Sequence, residues 1–317
     1  MELLVSAIIT THNRRELLKR AIESVFAQSY SPIELIVVDD HSEDGTSEVC
    51  QDPRIRYIYI PKEESRGGNY ARNLGIKASK GEYCAFLDDD DYWLPTKIEK
   101  QVSLIERMDC ELVHCGRRKE IVRKGGVEYK DTLPNPRHWG DMHKKILQTI
   151  CTTTTNILAK RQALIDVGMF DENLRFWQEY ELTIRLAQRK PFYYVNEPLS
   201  VYRVDTRDSQ RLTNKYYEWK KAVRYIHQKH AVLYSQLSLI EKYKVQCLVW
   251  RDASSRCKAS GLYGLYIFYR ILNLSSMITN KFRKLLTYVV GRGKIRALNS
   301  SYASLVGLHD NHLNIAA

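Results

Sequence analysis

The amino-acid sequence predicts an α/β protein: a mainly parallel, doubly wound sheet followed by a helical region. Two observations carry this. From residue 3 to residue 93, short and near-continuous apolar runs alternate with stretches whose apolar residues recur at helical spacing. That is the pattern of strands buried on both faces and joined by crossover helices. The second observation is a charge divide. Residues 1–204 carry 30 Lys and Arg against 31 Asp and Glu, whereas residues 205–317 carry 19 against 6, so the net charge of +12 lies wholly in the last third.

Leu4–Thr10 is the first apolar run, and between Arg15 and Gln28 the residues Leu17, Leu18, Ala21, Ile22 and Val25 fall at helical spacing. Glu34–Asp39 reads as a second strand, Ser42–Cys50 as a short helix and Ile55–Ile60 as a third strand. Asn69–Ala78 reads as a helix and Tyr83–Leu87 as a fourth strand. This order implies right-handed crossovers, with ligands bound beyond the carboxyl ends of the strands. After Trp93 the pattern is mixed: a helix over Thr96–Met108, a strand at Leu112–His114, and a hairpin over 117–130 turning at Gly125-Gly126. A loop over 134–140 and a short strand at Ile157–Lys160 follow, then a helix over Gln178–Gln188 and two short strands, Phe192–Val195 and Leu199–Arg203. Helices are expected over Tyr216–His230, Leu237–Cys257 and Leu262–Val290.

The seven cysteines are odd in number and show no CxxC spacing. This argues against a disulfide framework or a zinc site and for a reducing compartment. The N-terminal apolar run has no basic residues before it and reads as a strand rather than a signal peptide. No stretch reaches the roughly 18 uninterrupted apolar residues of a spanning helix. A cytoplasmic protein is expected.

Each strand end delivers a polar cluster: Thr10-Thr11-His12-Asn13, Asp39-Asp40-His41-Ser42 and Asp88-Asp89-Asp90-Asp91, with Arg66-Gly67-Gly68-Asn69 before the third helix. Adjacent carboxylates raise one another's pKa unless a cation compensates. At the mouth of a parallel sheet the fitting cation is Mg²⁺ or Mn²⁺, shared with phosphate oxygens. The alternative is a solvated acidic turn capping the helix that starts near Trp93.

The segments VSAIITTHNR, ELIVVDDHSEDGT, RGGNYARNLGI, GEYCAFLDDDDYW and GMFDENL with WQEYELTIRL stand in order over residues 3–205. Together they resemble the family 2 glycosyltransferases of bacterial surface-polysaccharide synthesis. The resemblance implies a GT-A (Rossmann-like) fold and an inverting transferase acting on a UDP-sugar, with Mn²⁺ or Mg²⁺ as cofactor. It divides residues 1–204 into a nucleotide-binding part, 1–110, and an acceptor part, 111–204. Thr10 and His12 occupy positions that contact the base, and Asp40 matches the carboxylate that hydrogen-bonds it. Arg72 and Asn73 match donor contacts. Asp88 and Asp90 fill the DXD motif, Asp88 toward the donor sugar or ribose and Asp90 on the metal, with Asp91 as support or helix cap. The general base corresponds to Glu179, the second residue of the Gln178-Glu179 pair after GMFDE, and Glu181 is the competing acid. Where the family often reads Tyr-Arg-x-His, this chain reads Tyr202-Arg203-Val204-Asp205. Arg203 retains the capacity to bind diphosphate. The hydroxyls of Thr152–Thr155 either face a sugar or serve β-propensity alone.

The last third combines aromatic residues with Arg270, Lys281, Arg283, Lys284, Arg292, Lys294 and Arg296. Such a segment suits an anionic bilayer interface, so residues 260–296 are expected to attach to the inner face of the cell membrane, toward a lipid-linked glycan acceptor. A packed helical domain with a basic rim and a homo-oligomer interface are the other readings. Nucleic acid is not expected, because no reading motif accompanies the charge. The competing functions are a nucleotidyltransferase, disfavoured by the absence of a Gly-rich loop in TTHNRRE, and a non-catalytic nucleotide-sugar scaffold.

Overall fold

The computed structural model describes residues 2–205 and 215–274. Two compact units divide the chain, Met1–Gln210 and Arg211–Ala317.

The first unit is built on a nine-stranded sheet. Strands β1 (Val5–Thr11), β2 (Ile33–Asp40), β3 (Ile55–Ile60) and β4 (Tyr83–Asp88) run parallel in the order 3-2-1-4. Their connections carry α1 (Arg15–Phe26), α2 (Thr46–Val49) and α3 (Gly68–Ala78). The strand order reverses between β1 and β4, which opens a crevice at their carboxyl ends. The register places Thr10 beside Asp88 and Thr11 beside Asp39 at that crevice. Val5, Ala7, Ile9, Leu35, Val37, Ala85 and Leu87 form the core under it, packed against Leu18, Ala21 and Ile22 of α1.

The second half of the sheet is mixed. Short β5 (Tyr92–Trp93) leads into α4 (Lys97–Arg107), followed by β6 (Leu112–Arg123), β7 (Gly126–Thr132), β8 (Leu158–Lys160), α5 (Arg161–Asp166), α6 (Gln178–Ala187) and β9 (Phe192–Asp205). β8 pairs antiparallel with both β4 and β6, and β9 lies parallel to β6. The hairpin expected after residue 117 is present, turning at residues 124–125.

Two expectations are corrected. The stretch Ser42–Cys50 is helical only over Thr46–Val49. Side-chain bonds hold its first half open instead: the Ser42 N–H donates to Asp39, the Thr46 N–H and hydroxyl to Asp44, and Gly45 sits at φ 79°. The two strands expected at Phe192–Val195 and Leu199–Arg203 are one strand, because a bulge absorbs the break. Val195 pairs with Cys115, and the next pair is Pro198 with Gly116. A Cβ on Gly116 would lie 2.8 Å from the Glu197 carbonyl oxygen and 2.9 Å from that of Thr132, so the bulge requires glycine.

In the second unit, α7 (Tyr216–Lys229) and α9 (Leu239–Ala259) follow the expected helices, and a short α8 (Ala231–Ser235), not among those expected, lies between them in sequence. Trp219, Val223 and Ile226 are buried on α7, as are Val245, Leu248, Ala253 and Cys257 on α9. A reciprocal Ser238–Glu241 capping box starts α9. Residues 263–274 are helical and expose Tyr263, Ile267, Phe268, Ile271 and Leu274. The rest of the expected basic helix, from 275, lies outside the described residues. Among the described residues no helix is long and apolar enough to cross a membrane.

Helix α3 seats on β1 through Gly75, where a Cβ would come within 2.4 Å of the buried Ile8 Cγ2. Gly75→Ala should therefore overpack this contact and lower unfolding free energy by about 1–3 kcal/mol in urea titration.

Candidate active site

The crevice begins with two loops locked to each other. Asp39 is buried and accepts the Tyr57 hydroxyl at 2.6 Å and the Ser42 N–H at 2.9 Å, so the first acid of the Asp pair shapes the loop. Asn13 and His41 adopt left-handed backbone, φ 52° and 55°. The Asn13 N–H donates to Ser42 Oγ at 2.8 Å, and the Glu43 N–H returns a bond to Asn13 Oδ1 at 2.7 Å. His12 Nδ1 lies 2.6 Å from the Asp40 carbonyl oxygen. A carbonyl only accepts, so Nδ1 carries the proton. The His12 and His41 rings stand 4.3 Å apart, and the Asp40 carboxylate lies 3.3 Å from His41 Nδ1. His12 and Asp40 are thus brought together, while Thr10 lies beside Asp88 at the end of the neighbouring strand. His41 completes the group, a residue whose only sequence signal is its place in the strand-end cluster.

The four consecutive carboxylates separate in pairs. Asp88 and Asp90 each keep a third of their side-chain surface. Asp88 accepts Arg72 Nη2 at 2.6 Å, and Asp90 accepts Arg14 Nη1 at 3.1 Å. Asp89 is buried against Arg14 Nη1 at 2.9 Å. Asp91 is buried deepest, accepting the Thr155 hydroxyl at 2.7 Å and the Arg203 N–H at 3.0 Å. Burial pushes the Asp89 carboxyl up to about 6, against the opposing pull of Arg14. Asp91 is raised well above the usual range by burial and then by the charges of Asp90 and Asp88. Thr155 belongs to a buried one-turn 3-10 helix, Thr154–Asn156, and supports Asp91 rather than extending a strand.

Among the described residues, no group of three or more His, Cys, Asp or Glu side chains is arranged around a metal position. Asp88 and Asp90, each keeping a third of its side-chain surface, are the carboxylates of the run that could meet a hard divalent cation, which favours oxygen ligands.

Helix α3 ties the acidic run to the loop that precedes α6. Arg72 bonds Asp88 and also Asn69 Oδ1 at 3.1 Å. The Asn69 amide donates to the carbonyls of Asp171 and Leu174. Asn73 spends its amide on the Phe170 carbonyl, the Phe170 N–H and Glu172. The polar atoms of Asn73, where a donor contact is expected, hold the 168–174 loop. That loop leads into α6, where Gly168, Met169 and Trp177 are left-handed, φ 82°, 58° and 56°. Glu179 lies half-buried in the first turn of α6, its carboxyl raised by desolvation and then by Asp88, with Arg72 and Arg117 opposing. Glu181 is fully buried and pairs with Arg185 at 2.6 Å, while Arg185 also binds the Val167 and Met169 carbonyls. The competing acid is a strut for the loop.

Arg203 reaches the acidic run through its backbone, while its side chain meets Asp205 at 3.1 Å and Glu120 at 3.5 Å. Glu120 is buried and also receives Arg20 Nη1 at 3.1 Å and the Tyr92 hydroxyl at 3.0 Å. Asp205, standing where the family often has His, is held here by its own arginine. Glu120 and Arg20 carry no motif, and Arg14 is visible only as the basic residue following the first cluster.

The family model "Glycosyl transferase family 2" matches residues 6–168. The "Putative teichuronic acid biosynthesis glycosyltransferase TuaG" of Bacillus subtilis strain 168 is 38% identical over 208 residues, 63% of this chain and 79% of TuaG. WfaP of Escherichia coli, a UDP-Glc:alpha-D-GlcNAc-diphosphoundecaprenol beta-1,3-glucosyltransferase, is 42% identical over 106 residues, 32% of this chain and 41% of WfaP. Some relatives are much longer: the match covers 32% of uncharacterized glycosyltransferases from Rickettsia conorii and Rickettsia felis. Among solved structures, S. aureus TarS 1–349 in complex with UDP-GlcNAc superposes with a TM-score of 0.59 at 17% identity, over 84% of this chain and 79% of that one. This likeness carries the fold, which is of the GT-A type.

Native Asp89 keeps its proton up to about pH 6, whereas an unfolded aspartate releases it near 3.8. Between those values the folded chain binds the extra proton, so stability falls as pH rises, by on the order of 3 kcal/mol. Asp89→Asn should flatten the dependence of the urea midpoint on pH between 4 and 6.5, relative to the unsubstituted protein.

Proposed function

This chain belongs to glycosyl transferase family 2, and we propose that it is an inverting transferase that moves one sugar from a UDP-sugar to a hydroxyl of a growing, lipid-linked cell-surface glycan. The observation that carries this reading is the placement of Glu179, a half-buried carboxyl with raised affinity for a proton, within the electrostatic reach of Asp88. Support for the donor comes from UDP-GlcNAc in TarS and UDP-Glc in the name of WfaP. The diphosphoundecaprenol in that name and the teichuronic acid synthesis of TuaG support the acceptor class.

The His12 and His41 rings, with the Asp40 carboxylate and Thr10, offer a planar base a stacking face and a hydrogen-bond acceptor. Asp90 and Asp88 would hold Mn²⁺ or Mg²⁺, which when bound neutralises the negative charge of the departing diphosphate. Arg72 orients Asp88 toward the donor, and Arg203 lies at the edge of the acidic run. Glu179 accepts the proton of the acceptor hydroxyl as its oxygen bonds the anomeric carbon and the bond to the diphosphate breaks. A base with a raised pKa works best deprotonated but only just, so transfer should fall as pH drops through that raised value. The exposed apolar residues of 263–274, followed by the basic segment to 296, support attachment to the inner face of an anionic membrane.

Glu179→Gln should hold donor affinity within about twofold while sugar transfer falls about 10²–10⁴-fold. Asp90→Asn should weaken both metal-dependent UDP binding and transfer. UDP release from a panel of donors, with and without EDTA, measures transfer and calorimetric titration of UDP measures binding; transfer at the unsubstituted rate by Glu179→Gln refutes the base assignment. In flotation at low salt the full chain should rise with anionic liposomes and stay behind with neutral ones; no recovery with anionic vesicles overturns the attachment.

A further inference from the structure

Strand β6 carries basic residues on both faces, and the two faces are treated differently. On one, Arg118 is bonded to Asp131 across the hairpin and Glu120 takes Arg20, Tyr92 and Arg203. On the other, Arg117 and Lys119 alternate with them, and Lys130 stands directly opposite Lys119 on β7. None of these three cations has an ion pair or hydrogen bond to an acid among the described residues. The nearest carboxylate on that face, Glu128, is taken by Arg123 at 3.0 Å. Arg117 lies over the Tyr202 ring, 5.4 Å to the centroid, and its charge acts on Glu179.

Like charges opposite one another across strands destabilise a sheet. Here the cost is visible: Lys119 is half-buried, and its ammonium is shifted down by desolvation and then by Arg117 and Lys130. A bound anion would reverse both effects. The donor side has its own arginines, Arg14 and Arg72, each already held by the acidic run. Arg117 is two strands removed from Asp88, since the sheet order runs β4-β8-β6.

We infer that Arg117 and Lys119, with Lys130 beside them, form an anion subsite on the acceptor side of the crevice, which takes a phosphate or carboxylate group carried by the acceptor. The inference rests on the transferase reading, in which Glu179 marks the acceptor side. It narrows the acceptor to an anionic glycan or a glycan phosphate. A guanidinium fixed on an aromatic ring presents its fork in one orientation, which suits either oxyanion. The stacked Arg117 would orient the acceptor, and Lys119 would supply a second point charge.

The test is isothermal titration of inorganic pyrophosphate, and separately of glucuronate, into the full chain saturated with UDP and Mn²⁺, with UDP affinity measured alongside. The unsubstituted protein should bind one equivalent of at least one anion, and which of the two binds identifies the phosphate or the carboxylate source. Arg117→Gln with Lys119→Gln should weaken that binding at least tenfold and leave UDP affinity within twofold. Lys119→Gln alone should give an intermediate loss, and a thermal melt confirms that each variant is folded. Unchanged anion binding in the double variant, or no anion binding to the UDP-loaded protein, overturns the subsite. A parallel loss of UDP affinity also overturns it, by assigning these cations to the donor diphosphate. If the protein binds no UDP at all, the donor reading fails first; the same titrations without UDP then judge the cations by the same tenfold criterion.

Discussion

Four carboxylates on consecutive residues repel one another, and the arrangement of the crevice follows from how that repulsion is resolved. β4 ends at Asp88, so the run leaves the sheet as a turn, closed by the bond from the Asp91 N–H to the Asp88 carbonyl. The turn aims Asp89 and Asp91 inward and Asp88 and Asp90 outward. The inward pair is tolerated through Arg14, Thr155 and the Arg203 amide, and through protonation favoured by burial. The outward pair is left at the surface, each carboxylate met by one guanidinium, Arg72 on Asp88 and Arg14 on Asp90.

The second half of the first unit is attached to that centre by α3. One helical face supplies Arg72 to Asp88 and both asparagine amides to the loop before α6. Bonding Asp88 and holding the loop that leads to Glu179 are therefore tasks of neighbouring residues on one helix. Displacing α3 would disturb both sides together. On the other flank, Glu120 gathers Arg20, Tyr92 and Arg203, tying α1, β5 and β9 to the edge of the same acidic run.

Much of this was legible in the sequence where chemistry and local order coincide. The βα alternation and the strand-end clusters locate the crevice, because a buried strand followed directly by acids leaves little choice of position. Glu179 and Glu181 were separable only in part, since both sit in the first turn of α6. It is Arg185, one turn on, that claims Glu181. Asn73 has a task its motif does not announce: its amide is bonded to a loop about 97 residues away in sequence, a pairing no local pattern encodes. Glu120 and the unpaired face of β6 were unreadable for the same reason. Their partners are set by strand register and by a glycine-dependent bulge in the facing strand. The helix expected over Ser42–Cys50 failed because Asp39, Asp44 and Asn13 offer its backbone better bonds than a helix would.

All four non-glycine residues with left-handed backbone among those described, Asn13, His41, Met169 and Trp177, stand in the loops around this crevice. Each is disfavoured by itself and persists because its neighbours leave no alternative. The consequence is entropic. The mouth gives up its conformational freedom when the chain folds, not when ligand arrives, so these loops charge a nucleotide little for their ordering. Binding there should draw its heat from contacts made rather than spend it on shaping the receptor.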